Sequence, residues 1–315
     1  MALHQTLAQT LSWPSSYATC TARCSKVPAR TPKIWTIMKI AIFGIGFLGG
    51  KLMKYLSNEF EVVGASKNSH DSFVKQIDAT DINRLEEFLN IEKPDIVIDT
   101  IALSSYFLCE KDPKLCKTLN YDTAKNIAKI CRKINAKMIF ISSSYVFNGK
   151  IGNYSETDIP DSTNKYARSK IRAEKLVLKL KDALVIRIEP LYGYDEKDNQ
   201  IKVGTNTFES DIAVGYPDIL RNPVYINDIP KVIKSLIENN QSGIFHIAGP
   251  RKMKWIDFLK TLASIIHAEN KVTIVDNSNW LLKPPHDSSL NISKINSLGI
   301  TTTSFEIALN ELRRF

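Results

Sequence analysis

The strongest constraint on this chain is a rhythm. From Met38 onward, short apolar runs rich in β-branched residues alternate with amphipathic stretches. The runs are "KIAIF", "FEVVGA", "DIVIDT", "KMIFIS", "ALVIRI" and, later, "GIFHIA". Runs this short and this continuously apolar suit strands buried on both faces. The stretches between them read as helices. One covers Phe47–Leu56, one Ile82–Leu89, one opens at Asp112-Pro113 and one follows Tyr166. In the third, Asp suits the cap and Pro the first turn. In the fourth, Ile171, Leu176, Val177 and Leu180 recur at helical spacing. Strands alternating with helices build βαβ units, so the expected class is α/β with a doubly wound parallel sheet.

The first strand runs straight into "GIGFLGG", where Gly44, Gly46 and Gly49 make a G-x-G-x-x-G run. A strand before it and a helix after it are the context in which such a run holds a dinucleotide. The first glycine permits the turn. The second lets backbone approach a pyrophosphate, and the third lets the helix pack on the strand. The N–H groups of Phe47 and Leu48 open that helix, where free donors and a partial positive charge favour phosphate.

The second strand ends in Ala65, Ser66 and Lys67. An NAD site usually carries an acid there to take the ribose hydroxyls. A hydroxyl and an ammonium attract a 2′-phosphate instead. NADP(H) is therefore the expected cofactor, with NAD(H) as the alternative. Further on, "IDATD" places Asp78 and Ala79 where a strand end can offer a carboxylate to the adenine amine.

"SSSYVFNG" follows "KMIFIS", and "YARSK" comes some twenty residues later. Tyr166 and Lys170 are four apart at the start of a helix, so they share one face. A tyrosine near its usual pKa of about 10 exchanges protons poorly at neutral pH, and a nearby ammonium stabilises the phenolate. Ser143, ending its strand, can donate to a substrate carbonyl oxygen, which is worth roughly 3 kcal/mol at a developing oxyanion. A glycine loop, then Ser143, then Tyr166 and Lys170, in that order on an α/β scaffold, read as a catalytic constellation.

Composition adds bounds. The 315 residues are 43% hydrophobic and 24% charged, as in an ordinary globular protein. No apolar run approaches the roughly 20 residues of a membrane span. Of the net +9, residues 1–37 contribute +4 through Arg23, Lys26, Arg30 and Lys33, with no acid. The remaining +5 is spread along the chain and argues for a solvated basic surface, compatible with an anionic small substrate, rather than for nucleic-acid binding. The cysteines are five, Cys20, Cys24, Cys109, Cys116 and Cys131. An odd count without a dense framework suits reduced thiols in the cytoplasm, and no metal-ligand spacing occurs.

Residues 1–37 read as a leader, disordered or upstream of a working start at Met38. Residues 38–190 read as the dinucleotide-binding domain, completed by about 226–248. Residues 191–225 and 249–315 read as a smaller lobe at the carboxyl ends of the strands, where open α/β sheets bind ligands.

Taken together, these residues resemble the extended short-chain dehydrogenase/reductases, and within them the dTDP-4-dehydrorhamnose reductase group. The likeness runs from about Met38 to Phe315. "KPDIVIDTIAL", containing Ala102, resembles the strand before that group's nicotinamide pocket. In "LCEKDPKLCKTLN", Asn120 matches its structural asparagine. "ISSSYVFNG", "YARSK", "GIFHIAGPRKMKWIDF" and "KPPHDSSLNISK" complete the match. The resemblance implies a Rossmann-type fold with a smaller C-terminal substrate-binding lobe and a cytoplasmic NADPH-dependent reductase of a 4-keto nucleotide sugar. It also implies a homodimer, with Ser143, Tyr166 and Lys170 as the catalytic residues. Arg221 is a candidate contact for the sugar diphosphate.

The departures are specific. Phe43 stands where the group's first glycine would, with Gly44 one place later. Ser144 stands where an acid commonly follows the catalytic hydroxyl. "NAAAY" becomes "DTIAL", with Leu103 for an aromatic residue, and Glu189-Pro190 stands where Ser-Trp is usual. "RIEPLYG" instead resembles the regulatory subunit of methionine adenosyltransferase. Two alternatives therefore stay open: an NADP-binding regulatory subunit of that kind, and a nucleotide-sugar epimerase or dehydratase.

Overall fold

The structure is a computed structural model that describes residues 38–69, 71–204, 206–207, 213–265, 272–274 and 284–315. The leader expected over residues 1–37 lies outside the described residues. Ile37–Phe315 forms one compact unit.

Chain order begins β1 (Lys39–Phe43), α1 (Phe47–Leu56), β2 (Glu61–Ser66), β3 (Val74–Gln76), α2 (Ile82–Glu92) and β4 (Ile96–Asp99). It continues through α3 (Tyr106–Lys111), α4 (Pro113–Lys117), a π turn at Thr118–Asp122, α5 (Thr123–Ile134), β5 (Lys137–Ser143), α6 (Lys165–Val177) and β6 (Leu184–Ile188). Six short strands follow: β7 (Leu191–Asp195), β8 (Gln200–Val203), β9 (Asn206–Thr207), β10 (Ala213–Gly215), β11 (Leu220–Arg221) and β12 (Val224–Tyr225). Then come α7 (Asp228–Glu238) and β13 (Gly243–Ile247). The chain ends with β14 (Met253–Lys254), α8 (Trp255–Ile265), β15 (Val272–Ile274), α9 (Ser293–Ser297) and α10 (Phe305–Leu312).

Seven strands form one parallel sheet in the order β13-β6-β5-β4-β1-β2-β3. The strand order reverses between β1 and β4, the point at which doubly wound sheets open a ligand crevice. The six expected strands all form. The seventh, β3, is three residues with one buried, too short to stand out in the sequence. Each sheet face is apolar. Ile40, Ile42, Ile96 and Ile98 point to one side, against α1 and α7. Ala41, Phe43, Val97, Met138 and Phe140 point to the other, against α2, α5 and α6.

Local signals set the helices. Asp81 caps α2 by accepting from Asn83 N and Arg84 N, and Lys93 in the left-handed region ends it. Asp112 accepts from Leu115 N at 2.9 Å, with Pro113 in the first turn, as expected. Asn164 Oδ1 accepts from Ala167 N at 2.7 Å and so starts α6 just before Tyr166. Leu52 of α1 is fully buried against the sheet. Burial of such a side chain contributes roughly 1.5–3 kcal/mol, and truncation to alanine costs about 2–5 kcal/mol with the cavity included.

Among the described residues, no helix is long and apolar enough to cross a membrane, and no group of metal-ligating side chains gathers.

Candidate functional site

The glycine turn joins β1 to α1 at the carboxyl edge of the sheet, and its three glycines do three different jobs. Gly44 has φ +89°, and a Cβ there would lie 2.9 Å from Thr100 Oγ1. A Cβ on Gly49 would lie 2.1 Å from the Gly44 carbonyl oxygen, so only glycine lets α1 start this close to the turn. A Cβ on Gly46 would meet nothing within 4 Å. The space over Gly46 is open, although Gly46 is exposed and caps α1 without any side-chain hydrogen bond. A helix start with uncapped N–H groups beneath open space fits a pyrophosphate. Phe47 and Leu48 supply the first helical N–H groups.

Further along the same edge, Ser66 ends β2 half-buried, and Lys67 follows it exposed. Lys67 does not stand alone. Its ammonium pairs with Asp78 at 2.9 Å, while Asp78 Oδ1 accepts from Thr80 N and Thr80 Oγ1. These bonds hold the Asp78 carboxyl below the usual range against the opposing effect of burial. Two residues expected to serve opposite ends of an adenosine thus neutralise one another. Ala79 is buried and its carbonyl accepts from Asn126 Nδ2 at 3.0 Å. Ala102 is exposed in the loop after β4. That loop is pinned from below by Asn120, whose Oδ1 accepts from Leu103 N at 2.7 Å.

Ser143 closes β5, and Tyr166 and Lys170 sit one turn apart on α6, which packs on that strand. The Ser143 side chain faces the Tyr166 phenol, and its Oγ also accepts from Tyr145 N at 3.2 Å. Tyr166 is buried among Cys109, Cys116, Leu103, Tyr106 and Tyr145. Burial pushes its pKa well above the ordinary tyrosine value, with the Ser143 hydroxyl pulling the other way. The Lys170 ammonium donates to the Ile141 carbonyl at 2.9 Å and lies 4.5 Å over the Phe140 ring. Burial pushes Lys170 down to about 8, opposed chiefly by the Asp99 carboxylate. The constellation can give one oxygen both a proton, from Tyr166, and a hydrogen bond, from Ser143.

Arg221 departs from expectation. It is 1% exposed, and its guanidinium donates to the carbonyls of Leu220 (2.7 Å) and Pro285 (2.8 Å). It lies 5.2 Å over the Tyr145 ring, which meets Tyr166 edge-on at 6.3 Å and Tyr106 at 6.2 Å. Arg221 is therefore a buttress for an aromatic wall and not a free cation.

Behind that wall lies Glu189, 1% exposed, accepting from Ser288 Oγ at 3.1 Å and Asn222 N at 3.2 Å. Burial pushes it up to about 7, against the effects of Arg221 and Ser144. Two departures from the family pattern meet here. Ser144, which replaces an acid, faces Glu189, which supplies one from β6's end. A polar cavity of about 420 Å³ opens beyond, between Asn222, Lys252 and Asn291; Ser143, Tyr166 and Lys170 do not line it.

Sequence reasoning gave no role to Asp99 or the tyrosine wall, and noted Glu189 only as a departure from the group's pattern. Asp99 had a readable signal, being an acid that ends the apolar run "IVID" on the same face as Val97.

Comparison with known proteins gives the family. The RmlD substrate binding domain matches residues 38–314. The chain belongs to that family. It is 28% identical over 280 residues to the methionine adenosyltransferase 2 subunit beta of Pongo abelii, covering 84% of each chain. It is 25% identical over 291 residues to the dTDP-4-dehydrorhamnose reductase of Aggregatibacter actinomycetemcomitans, covering 86% of this chain and 96% of that one. Among solved structures, the dTDP-4-dehydrorhamnose reductase of Bacillus anthracis str. Ames, in complex with NADP, matches at a TM-score of 0.76. It is 24% identical, covering 88% of this chain and 98% of that one, a likeness that speaks to the fold.

Proposed function

We propose that this chain is an NADPH-dependent reductase of a 4-keto nucleotide sugar, with dTDP-4-dehydrorhamnose as the leading substrate. The observation that carries the reading is the Tyr166 phenol facing Ser143, one turn from Lys170, beside an open glycine turn. Residues 38–190 with 226–248 would hold the cofactor, and 191–225 with 249–315 the sugar nucleotide. The reductases among the relatives support this assignment. The buried free thiols Cys109, Cys116 and Cys131 fit a reducing compartment such as the cytoplasm.

In this reading Gly44, Gly46, Phe47, Leu48 and Gly49 receive the pyrophosphate, and Ala102 borders the nicotinamide. Ser66 and Lys67 face a 2′-phosphate, once that anion draws Lys67 from Asp78. Bound NADPH would supply the hydride. Ser143 Oγ donates a hydrogen bond to the keto oxygen, and Tyr166 Oη gives that oxygen its proton as negative charge develops there. A phenol raised by burial suits this direction, because a reduction needs its acid protonated before the step. Lys170 keeps a positive charge beneath the developing anion.

Purified protein, NADPH and dTDP-4-dehydrorhamnose should lose absorbance at the nicotinamide band. Tyr166→Phe should slow that loss by about 10²–10⁴-fold. NADPH binding without turnover on a panel of 4-keto nucleotide sugars would overturn the reading.

The relatives named as methionine adenosyltransferase 2 subunit beta favour a second reading, a cofactor-binding regulatory subunit. Co-purification with an adenosyltransferase and a change in that enzyme's rate, both indifferent to Tyr166→Phe, would support it.

A further inference from the structure

Asp99 is the last residue of β4, opposite Phe43 of β1 and Phe140 of β5. Strand alternation puts it on the face of Val97, the face that α5 and α6 cover. It is 1% exposed. Its Oδ1 accepts from Ile101 N at 3.0 Å. Its Oδ2 has no partner, the one buried side-chain oxygen or nitrogen in that position among the described residues. A buried acceptor left unmatched costs about 1–3 kcal/mol, so a native fold keeps one only with compensation.

The compensation lies on α6. Lys170 is 2% exposed, and the groups that face it are Asp99 from β4, Glu174 from its own helix, Cys109 from α3 and Cys116 from α4. Asp99 in turn is faced by Lys170 and by Cys131 of α5. Burial pushes the Cys109 and Cys131 thiols up, so both stay neutral. Glu174 is already committed, pairing with Arg187 at 2.8 Å and accepting from Ser142 Oγ at 2.5 Å. Asp99 is thus the uncommitted negative charge beside Lys170. Lys170 Nζ lies 4.5 Å over the ring of Phe140, the strand neighbour of Asp99, and makes no ion pair or hydrogen bond with the Asp99 carboxylate.

We propose that Asp99 is a positioning residue of this site, a counter-charge set into the sheet that keeps Lys170 protonated where water cannot reach it. The proposal rests on the reductase reading only for its consequence in turnover. Burial raises Asp99 and lowers Lys170, and the attraction between the two charges opposes both shifts.

The test reads Lys170 directly. In protein carrying ¹³C-labelled lysine, the Lys170 Cε resonance, assigned with Lys170→Arg, is followed against pH. In Asp99→Asn its midpoint should fall by about one pH unit or more, the usual effect of losing a nearby opposite charge. The alkaline limb of turnover should move the same way. Linkage requires the reciprocal: in Lys170→Met the Asp99 Cγ midpoint should rise by a similar amount. That second variant carries the test if Asp99→Asn does not fold. Unchanged midpoints in either folded variant would overturn the proposal. Midpoints that shift as expected in the variants, with a wild-type protein that turns over no keto sugar, would instead count against the reductase reading alone.

Discussion

Helix α6 carries two buried charges of opposite kind, four residues apart, and the protein treats them differently. Glu174 sits in a closed network. Arg187 Nε and Nη2 donate to it, Ser142 donates at 2.5 Å, and the guanidinium lies 5.1 Å over Phe147. His246 closes the far end, its Nε2 3.4 Å from Arg187 and its Nδ1 3.0 Å from the Tyr154 carbonyl. Lys170, one turn earlier, has a carbonyl, an aromatic face and a carboxylate that does not touch it. The closed network ties β5, β6, β13 and α6 together. The open pair stores unmatched hydrogen-bonding capacity at the sheet edge where a cofactor would lie. A bound ligand would complete such capacity, so under the proposed function the contrast divides scaffold from site on a single helix.

The contrast breaks if the two charges prove interchangeable. Lys170→Met should reduce keto-sugar turnover by about 10²–10⁴-fold at only a small cost in stability, because the Asp99 carboxyl it leaves behind, already raised to about 6, takes up a proton. Arg187→Met should do the reverse. It strands Glu174 as a buried unpaired carboxylate, so denaturant titration should show a loss of about 3–5 kcal/mol, with turnover per folded molecule little changed. Similar stability losses in both variants would erase the distinction.

The closed half of this comparison and the cofactor edge differ in how much the sequence foretold. All six expected strands form, and α1 spans Phe47–Leu56 as its pattern suggested, because buried parallel strands and a glycine turn leave local signatures. The relative order of Gly44, Ser143, Tyr166 and Lys170 was equally legible. What was not legible depends on contacts distant in sequence. Arg221 reads as a surface cation until Pro285 and Leu220 are folded around it. Lys67 and Asp78 read as two ligands until β2 and the turn after β3 bring them to 2.9 Å. The buried face of α6 carries Lys170 and Glu174, while of the apolar residues whose spacing marked the helix only Val177 is buried, Ile171 and Leu176 are half-buried and Leu180 lies beyond its end. Spacing locates the face, but not which charges the neighbouring strands will accept.

Glu189 sharpens the comparison by a smaller amount. Burial raises its folded carboxyl from 4.5 to about 7. A carboxyl raised on folding binds its proton more tightly when folded. It therefore costs stability progressively as pH climbs from the ordinary carboxylate range to about 7. Glu189→Gln removes that titration, so the variant should gain on wild type by roughly 2–4 kcal/mol between about pH 4.5 and pH 8. A stability difference independent of pH would show that Glu189 is already ionised throughout. His246, pushed down to about 3 by burial and by Arg187, acts in the opposite sense in both proteins and cancels from the difference.

The smallest effect belongs to the exposed pair at the adenosine end. Lys67→Ala should raise the KM for NADPH about tenfold, or about 1.4 kcal/mol, and leave that for NADH nearly unchanged. Loss of Lys67 should change stability by less than about 1 kcal/mol, as expected for a solvent-exposed ion pair. Equal effects on the two cofactors would remove Lys67 from the 2′-phosphate site.

The most direct trial of the central claim is isotopic. The protein is incubated with NADPH deuterated at the transferable position of its nicotinamide and with dTDP-4-dehydrorhamnose, and the nucleotide sugar is weighed by mass spectrometry. Hydride reduction at the keto carbon predicts one deuterium in the sugar of the wild-type product and almost none with Tyr166→Phe. A nucleotide sugar recovered unlabelled and unreduced from the wild-type protein would contradict the account.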